Sequence, residues 1–332
     1  MNKLLTVSVA AYNMEAYLRR TLDSLCVPEV CADMDVIVVD DGSTDSTAKI
    51  AAEYIERYPE TFRLISKANG GYGSTVNAAV KIACGKYFRL LDGDDWLESA
   101  ALTDFIELLK NSQEDIVLTR YRKVYTSANT EETCGYGDVP ENTVFGFDEY
   151  ADRLEPWIYS MTIRTDILRS HGITLSEHRF YSDMEFLLLP VPWCDTVRTS
   201  SLELYRYRLG RAGQSVELKS FARNYDHHLA LVKGLLEFFA AKKDWSEARR
   251  QYFLRRLLYL VDMQYNIFYF IKDKKTGKKL LLDFDAYLKK NHPEIYEAEK
   301  AAPCTTQRLM QMTVYRGFSL AAWFKQKFKG GY

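Results

Sequence analysis

Strand-like and helical signals alternate without a break from Leu4 to Leu91, and this alternation narrows the fold more than any other feature of the chain. Leu4 to Ala10 is a β-rich apolar run. Met14 to Cys26 has helical spacing, with Tyr17, Leu18, Thr21, Leu22 and Leu25 on one side. Asp35 to Val39 is a short β-branched strand. Asp40-Asp41-Gly42-Ser43-Thr44-Asp45 follows as a polar turn, in which Ser43 or Thr44 is placed to cap a helix running to Tyr58. Phe62 to Ser66 is a third strand, Asn69 to Ser74 a glycine-rich loop, Thr75 to Ala83 a helix, and Tyr87 to Leu91 a fourth strand. A βαβαβαβ series predicts an α/β fold with a mainly parallel sheet and helices on both faces. Ligands of such sheets bind outside the carboxyl ends of the strands. Asp40 and Asp41 fall at one such end and Asp92, Asp94 and Asp95 at another, so distant residues are expected at one crevice edge.

Beyond this, Ser99 to Asn111 reads as an amphipathic helix and Ile116 to Tyr125 as a strand. Thr126 to Asn142 is polar and glycine-containing, a loop or hairpin. Short strands and helices mix up to Glu217. From Phe221 the chain turns helical, with long amphipathic segments over Asp244 to Ile271 and Lys278 to Lys290, and breaks at Pro293 and Pro303. A boundary near residue 220 is expected. Residues 1–98 and 99–220 would form two halves of one domain and 221–332 a helical domain.

The densest chemistry lies in Asp92-Gly93-Asp94-Asp95, three carboxylates in four residues at a strand end. Such a cluster repels itself unless a cation, or a ligand carrying one, offsets the charge. Asp is a hard oxygen ligand that suits Mg²⁺ or Mn²⁺, and Mg²⁺ is commonly held by one or two carboxylates plus substrate phosphates. Gly93 allows a tight turn between the outer carboxylates. The alternative is a solvated acidic turn before the next helix.

Three separated stretches, Leu5 to Asn13, Val38 to Asp45 and Leu91 to Asp95, resemble the GT-A inverting glycosyltransferases of family 2 in both order and spacing. A fourth, Tyr181-Ser182-Asp183-Met184-Glu185-Phe186, is similar to the acidic motif that supplies the catalytic base in that family. The resemblance covers roughly residues 4–216. The chain departs from the pattern at Ala10 and Ala11, where Pro or Thr is usual, and at Ser182, where Glu often precedes the Asp. The resemblance implies a metal-assisted transfer of a hexosyl or N-acetylhexosaminyl group to a hydroxyl acceptor of a bacterial surface polysaccharide or its lipid-linked precursor. The donor is a nucleoside diphosphate sugar, expected to be UDP-linked.

Within that frame Ala10 and Tyr12 end the first strand, and the Tyr12 ring can stack on a flat base. Asp41 can accept from the imide N–H of uracil or thymine, which cytosine lacks, with Asp40 beside it to hold the loop. Asp94 is the first metal ligand, Asp92 meets ribose or metal, and Asp95 meets sugar hydroxyls or caps the following helix. Gly70 and its neighbours offer N–H groups to phosphate or to a sugar hydroxyl, or make a tight connection. Lys67 is a counter-charge for the diphosphate or a solvated lysine. Arg211, in the arginine-rich stretch from Tyr205 to Ser215, is the arginine chosen for a donor contact. Asp183 is the general base, preferred to Glu185, with the helix N-cap as its structural alternative. His178 lies near enough to Asp183 in sequence to line the acceptor side.

Composition sets limits. A net charge of −1 over 332 residues argues against a dedicated nucleic-acid binder. Six cysteines without a CxxC pair suggest reduced thiols and a cytoplasmic setting. No apolar stretch reaches the length of a membrane span, although the basic, amphipathic Phe318 to Lys329 suits a peripheral membrane contact as well as packing on the helical domain. A homo-oligomer is a further use for that domain. Competing functions are a carbohydrate- or partner-binding protein without catalysis, and a sugar nucleotidylyltransferase, for which a basic glycine-rich loop after the first strand is missing.

Overall fold

The computed structural model describes residues 3–210, 218–301, 318 and 321–322. The chain divides into two compact units, Met1–Arg211 and Ala212–Tyr332.

The strands of the first unit are β1 (Lys3–Ala11), β2 (Met34–Asp40), β3 (Phe62–Ser66), β4 (Gly85–Asp92), β5 (Trp96–Leu97), β6 (Ile116–Tyr125), β7 (Thr130–Cys134), β8 (Val144–Gly146), β9 (Met161–Arg164) and β10 (Thr196–Leu209). They join in one sheet ordered β3-β2-β1-β4-β9-β6-β10-β5, with β7 on β6 and β8 on β10. The first four pair in parallel, as the alternation predicts. The remainder is mixed: β9 is antiparallel to both β4 and β6, while β10 runs parallel to β6. The expectation of a mainly parallel sheet therefore describes the first half of the unit. In that half every residue of β2 is buried, as befits a parallel strand covered on both faces.

The helices of this unit are α1 (Leu18–Asp23), α2 (Thr47–Arg57), α3 (Tyr72–Ile82), α4 (Ser99–Lys110), α5 (Thr165–Ser170) and α6 (Asp183–Leu188). Leu18, Leu22 and Leu25 pack with Val7, Val9, Leu102 and Phe105 in the main core. α1 is shorter than its apolar spacing implies, because the preceding backbone is held by the turn after β2. Asn13 N donates to Ser43 Oγ at 2.9 Å, Met14 N to Thr47 Oγ1 at 2.7 Å and Glu15 N to Asp45 Oδ2 at 3.1 Å. The start of α2 is held by Asp45, whose Oδ1 accepts from Thr47 N at 2.9 Å, and not by Ser43 or Thr44. The segment after β6 is a hairpin, with Thr130–Cys134 paired to Tyr121–Tyr125.

The second unit is helical: α7 (Leu218–Arg223), α8 (Tyr225–Ala241), α9 (Glu247–Phe270), α10 (Lys274–Asn291) and α11 (Pro293–Ala301). Pro293, expected as a break, is the first residue of α11, where a missing N–H costs nothing. Phe239, Trp245 and Phe253 form an aromatic cluster between α8 and α9. Among the described residues no helix is long and apolar enough to cross a membrane.

Candidate active site

The carboxyl ends of β1, β2 and β4 lie side by side, since Ala11 pairs with Asp40 and Ala10 with Asp92. This register brings Ala10, Tyr12, Asp40, Asp41 and the Asp92–Asp95 cluster to one edge. Gly93 N donates to Ala10 O at 2.9 Å. A Cβ at Gly93 would stand 2.8 Å from that same oxygen, so glycine is needed there for close approach of two strands.

Asp41 is buried, and both of its oxygens are engaged. Oδ1 accepts from Gly70 N at 2.9 Å and from Lys67 Nζ at 2.7 Å, and Oδ2 accepts from Gly71 N at 2.8 Å. Asp41, rather than Asp40, therefore holds the glycine loop. Asp40 closes its own turn by accepting from Ser43 N at 3.1 Å. The same contacts bear on two further expectations. Lys67 gives its three N–H groups to Asp41, Ala68 O and Ser74 Oγ, so it ties the loop together while remaining a quarter exposed. The N–H groups of Gly70 and Gly71 are directed at Asp41, not at a phosphate.

In the acidic cluster, Asp95 turns inward. Its Oδ2 accepts from the Tyr205 hydroxyl at 2.7 Å and its Oδ1 from Arg208 N at 2.7 Å. It thus ties the end of β4 to β10. It does not cap α4, whose N-cap position is Glu98. Tyr205 Oη also accepts from Asp92 N at 3.2 Å, and Arg208 Nε donates to Asp94 O at 2.8 Å. Burial first, then the carboxylates of Asp92 and Asp94, hold Asp95 well above the usual carboxylate range. That is the signature of crowded negative charge. Among the described residues no three His, Cys, Asp or Glu side chains form a cage for a metal. A cation held by Asp92 and Asp94 would need substrate phosphates to complete its coordination.

Asp183 opens α6 and is partly buried. Burial pushes its carboxyl up to about 6, with the Glu185 carboxylate adding to the rise. Glu185 is committed elsewhere: Oε2 accepts from Ser176 N at 2.5 Å and Oε1 from Ser176 Oγ at 2.7 Å. It shapes the segment that precedes α6. That segment meets the glycine loop, for His178 N donates to Gly70 O, and a Cβ at Gly73 would run into the carbonyl of Ser176. His178 and Tyr181 both adopt positive φ, at 56° and 72°, a conformation unusual for such side chains. Tyr72, at the start of α3, completes the connection. Burial, then Asp92 and Asp183, raise its phenol well above the ordinary value, so both carboxylates act on one hydroxyl.

Sequence reasoning marked the glycine loop and the arginine-rich stretch from Tyr205 to Ser215 but assigned no role to Tyr72, Tyr205 or Arg208 within them. Tyr72 sits in the glycine loop that drew notice, and its aromatic size among glycines was the available signal. Tyr205 and Arg208 reach the site through the pairing of β10 with β5 and β6, which no local pattern encodes. Arg211 lies outside the described residues.

The family model for "Glycosyl transferase family 2" matches residues 6–154. EpsJ of Bacillus subtilis, described as an uncharacterized glycosyltransferase, is 28% identical over 217 residues, 63% of this chain and 62% of that protein. Chondroitin synthase of Pasteurella multocida is 37% identical over 122 residues, 36% of this chain and 12% of that protein. The chain thus spans less than two thirds of either relative. Residues 1–349 of TarS from S. aureus superimpose with a TM-score of 0.66 at 19% identity, over 99% of this chain and 92% of that one, and TarS has also been solved with UDP-GlcNAc. The strand order, the acidic cluster and the match of residues 6–154 to the family 2 model agree, and the fold is that of the GT-A neighbours.

Proposed function

We propose that the chain transfers a sugar from a UDP-sugar to a hydroxyl acceptor with inversion, in the synthesis of a surface polysaccharide or its lipid-linked precursor. The observation that carries this reading is the register that brings the ends of β1, β2 and β4 together, so that Tyr12, Asp40 and the Asp92–Asp95 cluster share one edge; Asp183, whose carboxyl burial raises to about 6, serves as the base. A base poised near neutral pH beside a diphosphate-binding edge is what inverting displacement needs. TarS with UDP-GlcNAc, and the polysaccharide synthase among the relatives, favour the same donor and product classes.

In this reading the Tyr12 ring, 48% exposed, stacks on the base. Asp40 accepts the imide N–H, because the Asp41 oxygens already serve the loop. Asp183 takes the proton of the acceptor hydroxyl as that oxygen bonds to the anomeric carbon. The bond from this carbon to the diphosphate oxygen breaks on the opposite side, and the electron pair leaves with UDP. Mn²⁺ or Mg²⁺ held by Asp92 and Asp94 would supply compensation for the charge of the diphosphate. Arg208, fixed across Asp94 O and Asp95, adds a cation at the same edge.

UDP release from UDP-GlcNAc and UDP-glucose, with mixed saccharide acceptors, tests the assignment. Asp94→Asn and Asp183→Asn should each reduce turnover by about 10²–10⁴-fold, with UDP binding retained in Asp183→Asn. Turnover near the wild-type rate in both variants contradicts the reading and favours binding without catalysis.

A further inference from the structure

The near-neutral total charge conceals a strong segregation. Residues 212–332 hold 22 Lys and Arg against 12 Asp and Glu, a formal +10, whereas residues 1–211 carry a formal −11. Between Lys272 and Lys290 the chain has seven lysines and no arginine. The structure places these on α10 and the turn before it. Gly277, Leu281, Phe284 and Leu288 form the buried face of α10. At helical spacing the opposite face carries Lys275, Lys279, Leu282, Ala286, Lys289 and Lys290, all exposed.

The acids of this stretch do little to neutralise that face. Asp273 caps α10 by accepting from Lys275 N and Thr276 N, and Asp285 accepts from the Tyr265 hydroxyl at 3.0 Å. Asp283 pairs with Lys279 at 2.8 Å. Among the described residues Lys275, Lys289 and Lys290 make no ion pair. In their midst Leu282 stands 37% exposed.

We propose that the outer face of α10 docks the helical unit on an anionic phospholipid surface. Lysines act as point charges whose long apolar stems settle at a headgroup boundary, while arginine is the residue for forked reading of individual phosphates. A row of lysines around an exposed leucine suits a diffuse, negatively charged plane with an apolar layer beneath it. The proposal does not depend on the catalytic reading and would survive its failure.

Co-sedimentation of the full chain with vesicles tests it. Binding is expected to vesicles of phosphatidylcholine with about one third phosphatidylglycerol, and not to phosphatidylcholine alone, with loss as salt rises from about 50 to about 300 mM. K275E/K279E/K289E should weaken binding by at least about tenfold. Leu282→Asp, a milder change, should weaken it severalfold and serves if the triple variant does not fold. Equal binding to both vesicle types, unchanged binding by folded variants, or capture by duplex DNA in preference to vesicles overturns the proposal.

Discussion

At the scale of single residues, the raised carboxyl of Asp183 lowers the stability of the fold near neutral pH, the range in which the proposed base would act. Its carboxyl titrates at about 6 in the folded chain against an ordinary value of 3.8. Between those two values the native state binds more protons than the unfolded one, so stability falls as pH rises through this window and stays reduced above it. Asp183→Asn removes that effect. It should stabilise the chain at pH 7 by about 1–3 kcal/mol and leave it unchanged at pH 3.5, as read from urea unfolding at both values. In the wild type, kcat/KM should fall tenfold per unit below about pH 6 as the base becomes protonated. Lys67 gives a contrasting case. Lys67→Met leaves the buried Asp41 carboxylate without its cation, and should cost about 1–3 kcal/mol, since Lys67 is a quarter exposed. Its effect on turnover should follow from weaker UDP binding. The place of Asp183 at the start of α6 was legible because a short acidic motif precedes an apolar helix. That Asp41 holds the glycine loop was not, since adjacent carboxylates at a strand end differ only in which loop they face.

At the scale of elements, the parallel half of the sheet was legible from local pattern alone. Phe62–Ser66 is the very span that its apolar run marks, and in the other half so is Ile116–Tyr125. The mixed half depends on pairings between β4, β9, β6 and β10 that lie far apart in sequence and leave no periodic trace. The same distance hid Tyr205, which reaches Asp95 across 110 residues. The junction between the glycine loop and the segment before α6 is the element-level feature on which the site depends. Gly73→Ala should force Ser176 and α3 apart, lowering stability by about 1–3 kcal/mol and weakening UDP binding together. A calorimetric titration beside a melting curve reads both; loss of stability with full UDP affinity would show that this junction does not shape the donor site.

At the scale of the whole chain, the helical unit has its own pH dependence. Burial lowers His228 to about 4, and burial with the nearby Asp262 carboxylate raises Glu299 to about 8. For His228, stability is lost as pH falls from 6.5 towards 4. For Glu299 it is lost as pH rises from 4.5 towards 8. The helical unit should therefore be most stable near pH 5–6. Glu299→Gln should flatten the alkaline side, recovering on the order of 2–4 kcal/mol at pH 8. None of this was readable in advance, because helical spacing marks which face is buried but not which acids and imidazoles are enclosed with it. The account as a whole rests on a nucleotide-sugar site at the joined ends of β1, β2 and β4. Calorimetric titration of UDP into the full chain, with Mn²⁺ and then with EDTA, tests that most directly. The account predicts saturable binding that weakens at least about tenfold without metal and in Asp94→Asn. UDP affinity that is absent, or unchanged by EDTA and by Asp94→Asn, would contradict it.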